Sequence, residues 1–215
     1  MILTFSCKKD EPPSEPVTDA EGNIYKTVKI GDQIWMAENL KTTKYNDGKE
    51  IPEITDGTMW AGLKAGAYCW YQNYQSSNKN TYGAIYNGYA VSTGNLCPTG
   101  WHVPELADWQ MLREFSGDTI TGGGKLKEVG IIHWLTPNKG ADNSSGFTAL
   151  PAGIRYFEGT FVSVTQFTGI CSSTAIGTKD QWLISLYYGD AVFNIIHRTK
   201  KKTAPLRDSL PVFST

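Results

Sequence analysis

Pro98, Gly100 and Pro104 leave the run Leu96-Cys97-Pro98-Thr99-Gly100-Trp101-His102-Val103-Pro104 little conformational choice. Proline fixes φ and lacks an N–H, and glycine invites a turn, so no regular element crosses this stretch. The residues that follow behave differently. Leu106, Trp109, Leu112 and Phe115 recur near helical spacing and predict an amphipathic helix over 105–115, opened by Pro104 and ended before Gly117. A stiff corner therefore delivers Trp101 and His102, beside Cys97, to the head of a helix. Structural roles follow for four residues: Trp101 and Trp109 as core, Cys97 as a bridge or buried thiol, His102 as a hydrogen-bonding group of the corner.

Elsewhere the pattern is strand and loop. Residues 23–30 alternate, with Ile24, Val28 and Ile30 on one face and Tyr25, Thr27 and Lys29 on the other, and Gly31-Asp32 turns them into a strand over 33–36. Residues 41–65 read as a structured loop, 67–71 as a strand, 83–90 as a helix and 125–129 as a helical turn. A second long loop covers 131–146. The last third reads as strands at 153–157, 160–164, 170–173, 181–188 and 191–197. With 22 glycines and 12% aromatic residues, the chain suits an α+β domain with an aromatic core better than a helical bundle.

Charge excludes several partners. A net charge of −1 gives no electrostatic footprint for nucleic acid and no polybasic membrane patch, and Lys200-Lys201-Lys202 reads as a solvated edge. No segment approaches the roughly 18 apolar residues that span a bilayer. The first residues, Met1-Ile2-Leu3-Thr4-Phe5-Ser6-Cys7, are an apolar stub ending in a small residue and a cysteine. They precede a charged Pro/Ser/Glu segment and resemble the end of a lipoprotein signal. Six residues before Cys7 are fewer than the roughly 7–15 of a working apolar region. Either the native start lies upstream of Met1, with Cys7 as the lipid attachment, or Cys7 simply opens a disordered tail. Residues 1–18 are thus expected to be a truncated signal-like start and tether, and 19–215 a single domain.

Seven separated pieces carry a family resemblance from Asp19 to Tyr188. They are Asp19-Ala20-Glu21-Gly22-Asn23-Ile24-Tyr25, Ile30-Gly31-Asp32-Gln33-Ile34-Trp35-Met36-Ala37-Glu38-Asn39-Leu40, Gly66-Ala67-Tyr68-Cys69-Trp70-Tyr71, Tyr82-Gly83-Ala84-Ile85-Tyr86-Asn87, the Cys97–Trp109 run, Gly123-Gly124-Lys125-Leu126-Lys127-Glu128, and Ser145-Gly146-Phe147-Thr148-Ala149-Leu150-Pro151-Ala152-Gly153. In this order they resemble the Fibrobacter succinogenes major paralogous domain of bacterial surface and secreted proteins. The resemblance implies a fold related to the C-type-lectin-like and formylglycine-generating-enzyme class: two main helices on small twisted antiparallel sheets, with long loops. It also implies a disulfide from Cys97 to a cysteine in the last strand. Here that strand reads Ala204-Pro205-Leu206-Arg207-Asp208, and the family's paired tryptophans are replaced by Ile170-Cys171 before Ser172-Ser173-Thr174. The C-terminal end is atypical, and Cys97 is left to pair with Cys171, to pair with Cys69, or to stay a thiol.

No catalytic constellation emerges. Cys97 near His102, and Ser172 and Ser173 near Cys171, lack a nucleophile signature, and a late reactive cysteine pair is missing. The three histidines lack zinc spacing. Calcium is the metal the loops could take, through Asn138, Asp142 and Asn143. Trp60 and Trp134 lie in the two long polar loops and are the candidates for ligand contact by stacking. The expectation is a non-enzymatic domain of the cell envelope, an outer-membrane lipoprotein or secreted, that binds an extracellular glycan or protein. No cofactor is expected, and the membrane is met only through a lipid anchor. The alternatives are a structural module of a larger envelope assembly and a derivative of the formylglycine-generating enzymes.

Overall fold

Gly31 takes φ +62°, which lets the chain reverse in two residues. Thr27–Ile30 (β3) and Gln33–Met36 (β4) pair antiparallel across that turn, as the alternation implied. The computed structural model describes residues 16–177, 180–199 and 213–214; Cys7 lies outside them. Val17–Thr18 (β1) pairs with Ile24–Tyr25 (β2), and Val17 is buried in the core, so the folded domain already includes residues assigned to the tether. The expected faces are reversed at β2. Ile24 is exposed and Tyr25 is fully buried, and the strand breaks at Lys26. The Tyr25 hydroxyl donates to Asp19 Oδ2 at 2.6 Å and accepts from the Lys41 amide at 3.1 Å, so the phenol can be buried with its polar end satisfied.

Asp56 opens the short helix Gly57–Ala61 (α1) by accepting from the Met59 amide at 2.7 Å. Tyr68–Cys69 (β5) pairs with Ile85–Tyr86 (β6), with Gln75–Tyr82 (α2) between them and Gly88–Val91 (α3) after them. The helix expected over 83–90 is corrected to a strand and a single turn. Gly83 takes φ +68° so close to Leu40 that a Cβ would stand 2.5 Å from its carbonyl oxygen, and the Ala84 amide donates to that oxygen. Asn87 then caps α3, accepting from Ala90 N at 2.9 Å.

Trp101–His102 (β7) leads through Pro104 into Leu106–Phe115 (α4). The stretch 116–151 holds turns and a bridge between Lys127 and Ala149, which replaces the expected helical turn. Ala152–Arg155 (β8), Phe161–Val164 (β9), Phe167–Ile176 (β10), Asp180–Tyr187 (β11) and Asn194–Thr199 (β12) form one sheet in the order β12-β11-β10-β8-β9. Strands β8 and β10 run parallel, so the main sheet is mixed and not purely antiparallel. The backbone of Phe213–Ser214 (β13) pairs with β7. The protein is thus α+β, with few helices and several small sheets around the large one. Trp35, Trp109 and Phe147 meet at the main core, the two indoles 4.9 Å apart, and a second core gathers Trp60, Ala67, Cys69, Tyr71 and Ile85.

Candidate functional site

The stiff corner sets the site. Gly100 takes φ +85° and the Trp101 amide donates back to the Pro98 carbonyl at 2.9 Å, which swings His102 to the head of α4. There Asp108 accepts from the Glu105 amide at 2.7 Å and stands 3.3 Å from His102 Nε2. One carboxylate therefore caps the helix and orients the imidazole. Strand β10 closes the other side: the Ser173 amide donates to the Pro104 carbonyl at 2.9 Å, and the Leu106 amide to Thr174 Oγ1 at 2.9 Å. Between these elements and the end of α3 lies an open groove of about 550 Å³. Ser92, His102, Glu105 and Ser173 give it polar edges, and Val91, Val103 and Ala175 give it apolar ones.

His102 was expected to brace the corner, and its bond to Asp108 does so. Trp101 is half-buried, Trp109 is fully buried, and Cys97 is buried in the main core. Cys69, Cys97 and Cys171 form no disulfide with one another; Cys69 sits in the second core, apart from the other two. Burial pushes the Cys69 thiol up to about 12, so it is no nucleophile at neutral pH.

The expectation for Trp60 and Trp134 is corrected. Both are buried, 3% and 1% exposed, so neither indole offers a face to a ligand. Each covers a buried cation. The Trp60 ring lies 4.3 Å from the Arg155 guanidinium, which donates to the carbonyls of Ile54 at 2.6 Å, Thr55 at 2.7 Å and Gly159 at 3.2 Å. The Trp134 ring lies 5.4 Å from Lys127 Nζ, which donates to the carbonyls of Lys139 and Tyr187 at 3.0 Å and of Asp190 at 2.7 Å. Burial lowers the Lys127 ammonium to about 8, from a usual 10.5. Sequence reasoning missed Arg155 and Lys127, since a lone cation in an alternating stretch reads as solvated. The one available signal was a tryptophan in each polar loop with no aromatic partner nearby in sequence.

Of the residues considered for calcium, Asp142 and Asn143 spend side-chain oxygens within their own loop, whereas the buried Asn138 Oδ1 accepts no hydrogen bond among the described residues. Asp142 Oδ1 accepts from the Ser144 amide at 2.8 Å, and these bonds hold its carboxyl below the usual carboxylate range. Asn143 accepts from the Thr148 amide at 2.8 Å and donates to Thr148 Oγ1 at 2.9 Å. Asn138 donates to the carbonyls of Glu128 at 2.8 Å and Gly130 at 2.7 Å. Among the described residues no three His, Cys, Asp or Glu side chains gather as metal ligands would.

No curated protein and no solved structure matches the chain. The model of the Fibrobacter succinogenes major domain matches residues 28–207, spanning β3 to beyond β12. With the corner, the β3–β4 hairpin and the 145–153 run all inside that match, the chain belongs to the Fibrobacter succinogenes major domain family.

Proposed function

We propose that this domain is a non-enzymatic binding module of the cell envelope, C-type-lectin-like in its use of loops, which takes the end of an extracellular glycan in the groove beside His102. The single observation that supports this is the groove itself. A sugar presents hydroxyl edges and an apolar ring face, and the groove answers with Ser92, His102, Glu105 and Ser173 beside Val91, Val103 and Ala175. The state of the nearby nucleophile candidates points the same way. Ser172 Oγ accepts from the Thr174 amide, and Ser173 Oγ donates to the Pro104 carbonyl. Tethering through Cys7 would place such a module outside the cell; metabolic labelling with a lipid precursor tests it, and label that survives Cys7→Ser would exclude the anchor.

A glycan array followed by titration tests the binding reading. A bound glycan should lose affinity at least tenfold, about 1.4 kcal/mol, in His102→Gln and Glu105→Gln, titrated at a temperature where each variant remains folded. No bound glycan, or affinity indifferent to both changes, would sink the proposal.

A further inference from the structure

We propose that the loop 129–135 is a lipid-contacting wedge, which docks the domain in the headgroup–acyl boundary of a bilayer. Among the described residues thirteen large apolar side chains are exposed, and four of them, Val129, Ile131, Ile132 and Leu135, fall within these seven positions. Ile132 is 84% exposed, while Trp134 two residues later is 1% exposed. The aliphatic tip is therefore held out by an anchored base. Trp134 Nε1 donates to the Ala149 carbonyl at 2.9 Å, and the Leu135 amide to the Thr165 carbonyl at 2.7 Å. Asn138 clamps both ends of the first turn through the carbonyls of Glu128 and Gly130. These bonds fix the loop before any partner arrives, so docking would cost little ordering entropy.

Three features select a bilayer over a protein. The tip carries no charge: between 128 and 137 the ionisable side chains are Glu128 and His133, and these face each other at 2.9 Å, with His133 edge-on to Tyr82. Its side chains are purely aliphatic, whereas protein hot spots favour Trp, Tyr and Arg and under-represent Leu and Val. Its area is also small. Four such side chains present on the order of a few hundred Å², well short of the roughly 800 Å² that each partner buries in a stable complex. Shallow burial in the headgroup–acyl boundary needs no such area. The carbonyls of Glu128 and Gly130, bonded to Asn138, would enter that boundary already satisfied.

The test uses the full chain with Cys7→Ser, so that no lipid anchor contributes to the affinity. Ile132→Cys carries an environment-sensitive dye, and Met59→Cys on α1 carries the same dye as a control; Cys69, Cys97 and Cys171 are buried and stay unlabelled. Phosphatidylcholine vesicles should shift the emission at 132 to the blue and leave 59 unchanged. Added salt or anionic lipid should change the partition little, since the wedge has no charge to screen. Ile131→Ser with Ile132→Ser should lower the partition at least tenfold with thermal unfolding unchanged. Any of three results would overturn the proposal: no partition, equal shifts at both positions, or undiminished binding by the serine variant. A concentration-dependent dimer that the serine variant abolishes would assign the loop to a second copy of the chain instead. The groove beside His102 plays no part in this measurement, so the two proposals stand or fall separately.

Discussion

At the scale of single residues, the two loop tryptophans are informative because they face inward. A guanidinium under an indole, with three of its five N–H bonds given to carbonyls, is a buried cation held by defined partners. Truncating Trp60 should therefore destabilise the fold and not merely weaken a ligand. Trp60→Ala is expected to cost about 3–5 kcal/mol in urea titrations. A double-mutant cycle with Arg155→Met should return a coupling of about 1–2 kcal/mol. The buried ionisable groups also set opposed alkaline limbs. Lys127 releases its proton near pH 8 when folded and near 10.5 when unfolded, so its contribution to stability rises with pH across that window. The Cys69 thiol moves the other way, from 9 to about 12, so its contribution is intact below pH 9 and is lost as pH climbs toward 12. Urea midpoints followed from pH 7.5 to 10.5 should rise to about pH 9 and then level off; Lys127→Met should lose the rise, and Cys69→Ala should go on rising above pH 9.

At the scale of elements, the corner and α4 form the firmest unit. Trp109 lies 4.9 Å from Trp35 and is fully buried, so Trp109→Ala should cost about 3–5 kcal/mol by calorimetry. An unmoved melting temperature would mean that α4 is misplaced. Gly153 on β8 takes φ +69°, and a Cβ there would stand 2.5 Å from the Val162 carbonyl oxygen and 2.7 Å from the Val164 amide. Gly153→Ala should therefore destabilise by about 2 kcal/mol or more, although it only adds a methyl group. The elements legible in the sequence were those specified by local chemistry. Pro104 with the spacing from Leu106 wrote α4, and Gly31-Asp32 wrote the β3–β4 hairpin. What stayed hidden depended on distant partners. The start of the 83–90 segment is a strand and not a helix because Leu40, more than forty residues earlier, takes the Ala84 amide. The face of β2 is reversed because Asp19 and Lys41 meet the Tyr25 hydroxyl. The groove was legible only in its corner, through His102; the β10 wall that completes it comes from Ser173 and Ala175, which no spacing linked to position 102.

At the scale of the whole molecule, a mixed five-stranded sheet carries long irregular stretches that must be closed by something. Family resemblance implied a disulfide for that task, and here its second cysteine is replaced in Ala204-Pro205-Leu206-Arg207-Asp208. The buried cations do comparable work. Arg155 joins its own strand to carbonyls 100 and 101 positions earlier, and Lys127 reaches carbonyls 60 and 63 positions later. Each gathers segments whose separation makes closure entropically expensive. Dithiothreitol should therefore leave the melting temperature of the folded domain within a degree, whereas Arg155→Met should lower it by several degrees. A domain knitted by ammonium and guanidinium groups, with no sulfur bridge among its described thiols, is indifferent to the redox potential around it. It can complete its fold in reducing or oxidising surroundings alike, with no oxidase to wait for.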